Sequence, residues 1–211
     1  MVVRFRDRAD AGARLGRLVE PLVGEDDVVV LGVPRGGVIV GRALADALGT
    51  ALDVLVVRKL GVPGHEEYGF GAIGEADAMV IDEATVAALG LSDEDVRGVE
   101  LRERFELRRR VALYRETRAR VDIAGKTVVL TDDGIATGGT VRAALDVCRA
   151  RGAQRVIVAV GVAPPDVIES LAHEADAAVA ALVPQAMHAV GEWYDDFRQT
   201  SDAEVLAALK G

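Results

Sequence analysis

One stretch, Thr127 to Thr140 (TVVLTDDGIATGGT), constrains the fold more than any other part of the chain. It begins with a short run of β-branched and apolar residues, which predicts a strand buried on both faces of a sheet. Two adjacent carboxylates, Asp132 and Asp133, follow where that strand should end. A turn rich in glycine and threonine then leads into a predicted helix, VRAALDVCRA. A buried strand followed by a helix in this way is typical of a parallel α/β sheet.

The same order of residues predicts a binding site for a phosphorylated ligand. Glycines let the backbone approach an anion, free N–H groups at the start of a helix point at it, and threonine hydroxyls add further donors. The two carboxylates cannot bind phosphate, so they require another partner, either sugar hydroxyls or a hard cation such as Mg²⁺. A ligand with a phosphate, ribose hydroxyls and a metal-bound pyrophosphate would satisfy all these groups. The alternative is an ordinary buried strand with a polar turn before a helix.

The segment VVLTDDGIATGGT resembles the signature with which type I phosphoribosyltransferases bind 5-phosphoribosyl pyrophosphate (PRPP). That signature consists of apolar residues, two acids and a loop that ends in Thr-Gly-x-Thr, and the match runs its full length. The resemblance implies that Asp132 and Asp133 hold the ribose hydroxyls, directly or through Mg²⁺. It also implies that a loop wraps the 5′-phosphate, and the loop residues are Ala136, Thr137, Gly138, Gly139 and Thr140. Many purine-salvage members have an aspartate at the position of Ala136, so a base at that position is excluded here.

A second strand, turn and helix precede this segment. Asp27 to Val33 predicts the first core strand, and Pro34-Arg35-Gly36-Gly37 leads into a helix from Val38 to Leu48. A glycine pair after a strand is often only a tight turn, but it can also present backbone N–H groups to an anion. The resemblance implies that this is the pyrophosphate loop of the family, and its binding residues would be Arg35, Gly36 and Gly37.

Two cations, Arg58 and Lys59, follow the second predicted strand, Asp53 to Val57. The carboxyl ends of strands border the ligand crevice of open α/β sheets. By the resemblance, a basic residue here reaches the pyrophosphate or the 5′-phosphate, whereas solvated charges closing a strand are the alternative. Residues 60–71 contain four glycines and no hydrophobic period. The resemblance implies that they form a flexible lid loop that closes over bound PRPP.

The tail, residues 184–200, contains the only tryptophan of the chain close to a tyrosine and a phenylalanine. In the family, segments at the chain ends form a hood over the acceptor, so Trp193, Tyr194 and Phe197 are candidates to stack on a planar ring. The alternative is that these side chains anchor the tail on the sheet. The phrase AVGEWYDDF resembles a bacterial branch of phosphoribosyltransferase-like proteins that is distinct from the named salvage enzymes.

A long helix is predicted over residues 92–120, as an insertion in the fold, with Leu101 and Phe105 among its apolar positions. From residue 97 to 120 it carries nine arginines and four glutamates, a net charge of +5. Such a face could bind RNA or pair subunits, although sparse aromatic residues argue against stacking on single-stranded RNA. Pairs at helical spacing favour a solvated face instead, and the candidates are Glu100–Arg104 and Glu106–Arg110.

Composition bounds the rest of the prediction. A chain of 211 residues, half of them apolar, can bury one core, so we expect a single domain over residues 1–211. A net charge of −9 argues against general binding to nucleic acid or an anionic membrane. Cys148 is the only cysteine, which favours a reducing cytoplasm. We also expect no signal peptide at Met1-Val2-Val3-Arg4, and no apolar run approaches the ~20 residues of a membrane span.

These features together predict an α/β fold with a Rossmann-like, mostly parallel sheet flanked by helices. The resemblance implies transfer of a phosphoribosyl group from PRPP to a nucleobase or another small nitrogen nucleophile, with Mg²⁺ as cofactor and pyrophosphate released. Lys59 and Arg35 would stabilise the leaving group, and Asp133 would face the developing sugar cation. Glu75 and the hood are candidates for the base, and we expect a homodimer. Two alternatives stay open: a PRPP sensor without turnover, and a regulator whose basic helix binds RNA.

Overall fold

The computed structural model describes residues 4–116 and 119–210, without the side chains of Glu66 and Glu67. The first three positions of the chain start discussed above therefore lie outside the described residues. So do positions 117 and 118 of the predicted long helix and the last residue of the predicted domain. Among the described helices, none combines the length and the apolar character needed to cross a membrane.

A parallel sheet of five strands forms the centre of the fold, in the order β2-β1-β6-β7-β8. The strands of this sheet are β1 (Val28–Gly32), β2 (Ala51–Val54), β6 (Thr127–Gly134), β7 (Arg155–Val162) and β8 (Ala177–Leu182). A smaller antiparallel sheet contains β3 (Val57–Val62), β4 (His65–Gly74) and β5 (Met79–Ile81). The first sheet confirms the predicted α/β class. Its strands are apolar without alternation because helices cover both of its faces.

The helices are α1 (Arg8–Val23), α2 (Gly36–Leu48), α3 (Glu83–Ala88), α4 (Asp93–Arg115), α5 (Gly139–Ala150), α6 (Pro165–Glu174) and α7 (Asp202–Lys210). Two apolar cores form on opposite faces of the sheet, since successive side chains of a strand point to opposite sides. In β6, Val129 packs into the core beneath α1 and α2, whereas Val128 and Leu130 pack into the core beneath α5. Cys148 is buried in this second core as a free thiol.

The strand order places a crevice between β1 and β6. These two strands are parallel neighbours, with Gly32 paired to Thr131 at their carboxyl ends. The chain leaves β1 through α2 toward β2 on one side, and leaves β6 through α5 toward β7 on the other. Open α/β sheets bind ligands where the strand order reverses in this way. The first turns of α2 and α5 both open at this point.

The region predicted as an irregular lid loop, residues 60–71, is instead largely an antiparallel hairpin, so that prediction of its structure is wrong. β3 pairs with β4 from Val57↔Gly74 to Val62↔His65, with bulges on either side of Gly61. The second predicted strand was also misplaced: β2 ends at Val54, and Arg58 and Lys59 lie inside β3. The sequence did not reveal this pairing because glycines have no side chain and so interrupt the alternation of apolar and polar residues that predicts a strand. That this segment closes over a ligand stays a prediction.

Side-chain caps fix the starts of helices α1 and α4. α1 begins at Arg8 because the Asp7 side chain caps it, and it continues through Pro21. Phe5 precedes this helix, where it is buried and forms a β-bridge with Tyr194 in the tail. The start of α4 agrees with the predicted range of 92–120, since Ser92 and Asp95 form a capping box there.

The apolar positions of α4 divide between core and solvent. Leu107 and Tyr114 are buried, but Leu101 and Phe105 are 64% and 70% exposed. The Glu100–Arg104 pair is present at 2.7 Å, while the described partner of Glu106 is Arg109. Apolar residues of α4 thus lie on both its buried side and its exposed side. For this reason their helical spacing alone did not identify the buried face.

A buried charge cluster fixes the end of α4 against the sheet. The Arg115 guanidinium lies 2.7 Å from a carboxylate oxygen of Asp53 and 2.7 Å from one of Glu75. It also donates to the carbonyl oxygen of Val54. All three charged side chains are nearly inaccessible to solvent, with exposures of 12% for Arg115, 1% for Asp53 and 3% for Glu75. Since Glu75 is held in this cluster, its contacts favour a structural role over the role of a base.

Candidate active site

The acidic pair and the glycine turn after β1 meet at the crevice. A β-carbon added to Gly36 would lie 2.0 Å from Asp133 Oδ2, and one added to Gly37 would lie 3.1 Å from Asp132 Oδ1. Gly37 would in addition place its β-carbon 2.6 Å from the carbonyl oxygen of Thr131. The peptide bond between Pro34 and Arg35 is cis. The structure thus brings together the two segments that the sequence singled out separately.

Both helices that open at the crevice begin without a side-chain cap. The cap positions of α2 and α5 are Arg35 and Gly138, and neither side chain accepts a hydrogen bond from the first turn. By contrast, α1, α3 and α4 are capped by Asp7, Asp82 and Ser92. The first N–H groups of a helix have no partner within it. At α2 and α5 no side chain takes these donors, so an anion at the crevice could accept from them.

The loop before α5 has the geometry of an anion-binding turn. Gly138 adopts φ +81°, a left-handed conformation that favours glycine. Arg142 donates to the carbonyl oxygen of Thr137 at 2.8 Å and so closes the loop from the helix side. The side chains of Ala136, Thr137 and Thr140 are exposed at the open side. The loop is thus held by Arg142 on the side of the helix and is exposed to solvent at Ala136, Thr137 and Thr140.

Lys59 reaches this loop from the small sheet, but Arg58 points elsewhere. The Lys59 Nζ lies 3.7 Å from the position that a β-carbon on Gly139 would take. The Arg58 guanidinium instead forms an ion pair with Glu103 of α4, with contacts of 2.6 and 2.8 Å. Of these two candidates, the structure brings Lys59 to the predicted phosphate loop and uses Arg58 to attach α4 to β3.

Arg8 is a residue at the site that the sequence analysis missed. Its Nε donates to Asp133 Oδ2 at 2.8 Å, and its NH1 donates to the carbonyl oxygen of Arg198 at 2.9 Å. The guanidinium also lies over the ring of Phe197, 4.1 Å from the ring centre. Arg8 follows the cap of α1, 125 positions before Asp133 in the chain. No local pattern could reveal this contact, because only the tertiary fold brings the chain ends to the crevice.

The acidic pair is electrostatically strained. Burial, followed by the charge of neighbouring Asp133, raises the pKa of Asp132 well above its usual range. Asp132 Oδ1 also accepts a hydrogen bond from the Asp133 backbone N–H at 2.8 Å. Two adjacent carboxylates offer the hard oxygen ligands that suit Mg²⁺, which takes only one or two carboxylates and completes its shell with water and ligand oxygens. The described residues include no cluster of three or more metal-binding side chains. The pair therefore fits an ion that arrives with a phosphorylated ligand.

The three aromatic candidates of the tail are not equivalent. Tyr194 is 4% exposed, its ring contacts Phe5 and Phe197, and its hydroxyl donates to the backbone carbonyl of Asp133. Burial raises the pKa of this hydroxyl, which therefore stays protonated as a donor. Trp193 is partly buried, and its indole N–H has no partner among the described residues. These contacts favour an anchoring role for Tyr194, whereas binding of an acceptor by Trp193 or Phe197 stays a prediction.

Gly36→Ala is expected to lower the free energy of unfolding by about 1–3 kcal/mol, the usual cost of overpacking. The new methyl group would meet Asp133 Oδ2 at 2.0 Å and Arg8 Nε at 2.8 Å, and the ion pair prevents either group from moving away cheaply. Gly98→Ala is the control, since no atom lies within 4 Å of its added β-carbon. In the helical α4 it should stabilise by about 0.5–1 kcal/mol. Urea unfolding measures both, and equal stability of Gly36→Ala and the wild type would contradict the crowding.

Comparison with known proteins agrees with this geometry. The family model described as "Phosphoribosyl transferase domain" matches residues 13–176. Two Mycobacterium tuberculosis proteins, from strains CDC 1551 / Oshkosh and ATCC 25618 / H37Rv, carry the name of a proposed phosphoribosyl transferase. Each is 45% identical to this chain over 205 residues, which cover 97% of this chain and 46% of the relative. The chain thus spans about half the length of these curated relatives.

A solved structure is similar over nearly the whole chain. The crystal structure of TT1426 from Thermus thermophilus shares 43% sequence identity and superposes with a TM-score of 0.91. The match covers 98% of both chains. The similarity therefore includes the long helix α4 and the tail as well as the central sheet.

Proposed function

Because this chain belongs to the type I phosphoribosyltransferase family, we propose that it transfers the 5-phosphoribosyl group of PRPP to a small nitrogen nucleophile and releases pyrophosphate. A nucleobase is one such nucleophile. The observation that carries the proposal is the convergence of two uncapped helix starts on one acidic pair. A phosphate at α5, a pyrophosphate at α2 and ribose hydroxyls between them would use the N–H groups of both helix starts and the two carboxylates.

The proposed roles follow from position. The loop of Ala136, Thr137, Gly138, Gly139 and Thr140 binds the 5′-phosphate with its backbone N–H groups and hydroxyls. Asp132 and Asp133 orient the ribose through its hydroxyls. When bound, Mg²⁺ would be held at this pair and would neutralise charge on the phosphate oxygens. The buried Tyr194 hydroxyl fixes the backbone of Asp133 from below and so positions its carboxylate.

The chemistry needs cations at the leaving group more than it needs a nucleophile from the protein. Displacement at the anomeric carbon breaks the bond to pyrophosphate and leaves positive charge on the sugar. Arg35, Lys59 and the N–H groups of Gly36 and Gly37 would stabilise the departing anion. Asp133 would face the cationic sugar, and the ion pair with Arg8 holds its carboxylate in place. Arg58 is assigned to holding α4, since Glu103 occupies its guanidinium.

Release of pyrophosphate from PRPP tests this function. The full chain is incubated with PRPP and Mg²⁺ and with a panel of nucleobases, amines and small heterocycles, and pyrophosphate is measured. At least one acceptor should give release that depends on both PRPP and enzyme. Silence across the panel, with PRPP still bound in calorimetry, would overturn the transferase and favour a sensor. Binding of RNA with a steep salt dependence would instead favour the regulator.

Two further properties belong to the proposal. We place the protein in the cytoplasm, where PRPP is available and the buried Cys148 would stay reduced. We also expect a homodimer, for which the exposed Leu101 and Phe105 of α4 are a candidate surface, since they lie one helical turn apart.

A further inference from the structure

The long helix α4 forms one wall of a depression of about 470 Å³ at the crevice. Pro34 of the turn before α2 lines it on one side, and Lys59 and Thr140 line it on another. From α4 come Arg102, Glu103 and Arg110. Arginines of α4 therefore lie beside the position of the proposed ligand. The sequence pattern did not predict that α4 borders the crevice.

Most arginines of α4 already have partners within the protein. Arg104 pairs with Glu100, Arg109 pairs with Glu106, and Arg115 belongs to the buried cluster. The acid in the depression, Glu103, is neutralised by Arg58 at 2.6 Å, and the mostly exposed Arg102 lies 3.5 Å from it. Glu103 therefore does not compete with an anionic ligand for the remaining charge of the wall.

Arg110 and Arg35 differ from these residues. Both are partly buried, and neither forms an ion pair or a side-chain hydrogen bond with any residue in the described ranges 4–116 and 119–210. Both charges act on the hydroxyl of Tyr114, where they oppose the rise in pKa that burial and the hydrogen bond to Asp202 cause. Arg110 lines the depression itself, and Arg35 directly follows Pro34, which lines it from the turn before α2. Two partly buried like charges without a counter-ion are unfavourable unless an anion joins them.

We infer that Arg110, together with Arg35, binds the pyrophosphate group of the ligand across the depression. This inference rests on the proposed function, because it assigns a further residue to the leaving-group end of that site. A guanidinium offers a planar pair of donors that suits the oxygens of a phosphoryl group. Arg110 in the lining and Arg35 next to the lining residue Pro34 together supply two such groups, which suits an anion with two phosphoryl groups. The 5′-phosphate is served separately by the loop before α5, so the two ends of the ligand have different partners.

Calorimetric titration of the full chain with three ligands in the presence of Mg²⁺ tests the inference. The ligands are inorganic pyrophosphate, PRPP and ribose 5-phosphate. Arg110→Ala should weaken pyrophosphate and PRPP binding by about 10- to 100-fold, the usual effect of losing a charged hydrogen-bond partner. Ribose 5-phosphate binding should be unchanged, because it lacks the diphosphate. Equal weakening of all three ligands, or of none, would overturn the assignment.

Two further variants keep the result interpretable. Arg108→Ala is the matched control, since it removes the same charge two positions away on an exposed part of α4, and i and i+2 do not face each other. It should leave all three affinities unchanged. Arg110→Lys retains the positive charge without the planar pair of donors, so it should weaken pyrophosphate binding less than Arg110→Ala does. This variant keeps the inference testable if the alanine variant folds poorly. A wild type that binds pyrophosphate but transfers nothing would refute the transferase alone, whereas transfer with unaltered binding in Arg110→Ala would refute this inference alone.

Discussion

Replacing both Asp132 and Asp133 by asparagine should lower phosphoribosyl transfer by roughly 10²–10³-fold, the scale on which a preorganised charged group acts at a reacting centre. The amides keep the size of the side chains but remove both negative charges and the hard oxygen pair. The ribose hydroxyls, Mg²⁺ and the developing sugar cation would each lose a partner. Initial rates of pyrophosphate release measure the loss, and calorimetry with PRPP and Mg²⁺ should show the heat of binding greatly reduced.

The experiment distinguishes the site from the overall charge of the protein. Asp93→Asn is the control, since it removes an exposed acid from the first turn of α4. That variant should bind PRPP as the wild type does. Asp132→Asn alone should also remove the cost of burying this charge and its repulsion with Asp133, the two causes that raise its pKa, so its fold should not suffer. Unchanged PRPP binding and turnover in the double variant would refute the proposed site.

Arg115→Met should destabilise the protein by about 3–5 kcal/mol, the cost of breaking a buried ion pair from one side. The substitution leaves the carboxylates of Asp53 and Glu75 buried, adjacent and without a counter-ion. It also deprives the carbonyl oxygen of Val54 of its donor. Urea unfolding followed by circular dichroism measures the change in the free energy of unfolding.

Neutralising the whole cluster provides the test of cause. In the triple variant Asp53→Asn, Glu75→Gln and Arg115→Met all three groups of the cluster are neutral, so much of the lost stability should return. Arg108→Met, on an exposed position of the same helix, should change stability by less than about 0.5 kcal/mol. If Arg115→Met proved as stable as Arg108→Met, the cluster would contribute nothing to the fold. If the triple variant were no better than the single one, unpaired charge would not be the reason for the loss.

Neighbouring residues in the chain were sufficient to predict the strands and turns that meet at the crevice. The strand, the acidic pair and the turn from Thr127 to Thr140 form one continuous unit, in which backbone conformation and side-chain chemistry are set locally. The same holds for the strand and glycine turn before α2. Since both are strand–turn–helix units of one parallel sheet, their meeting at a common edge follows from sheet topology. These parts therefore needed no knowledge of distant contacts.

Pairing across the chain decided the remaining features. Arg8 reaches Asp133, Phe5 pairs with Tyr194, and Arg115 reaches Asp53 only because the folded sheet brings distant segments together. The hairpin of β3 and β4 was misread because backbone pairing between glycine-rich strands leaves no side-chain period. Local propensity sets conformations of a few residues at a time, whereas ion pairs and strand pairs depend on distances in space. The sequence by itself therefore determined the strand–turn–helix units at the crevice and the α/β class, and only the tertiary structure decided which arginines have partners and which ones face the crevice.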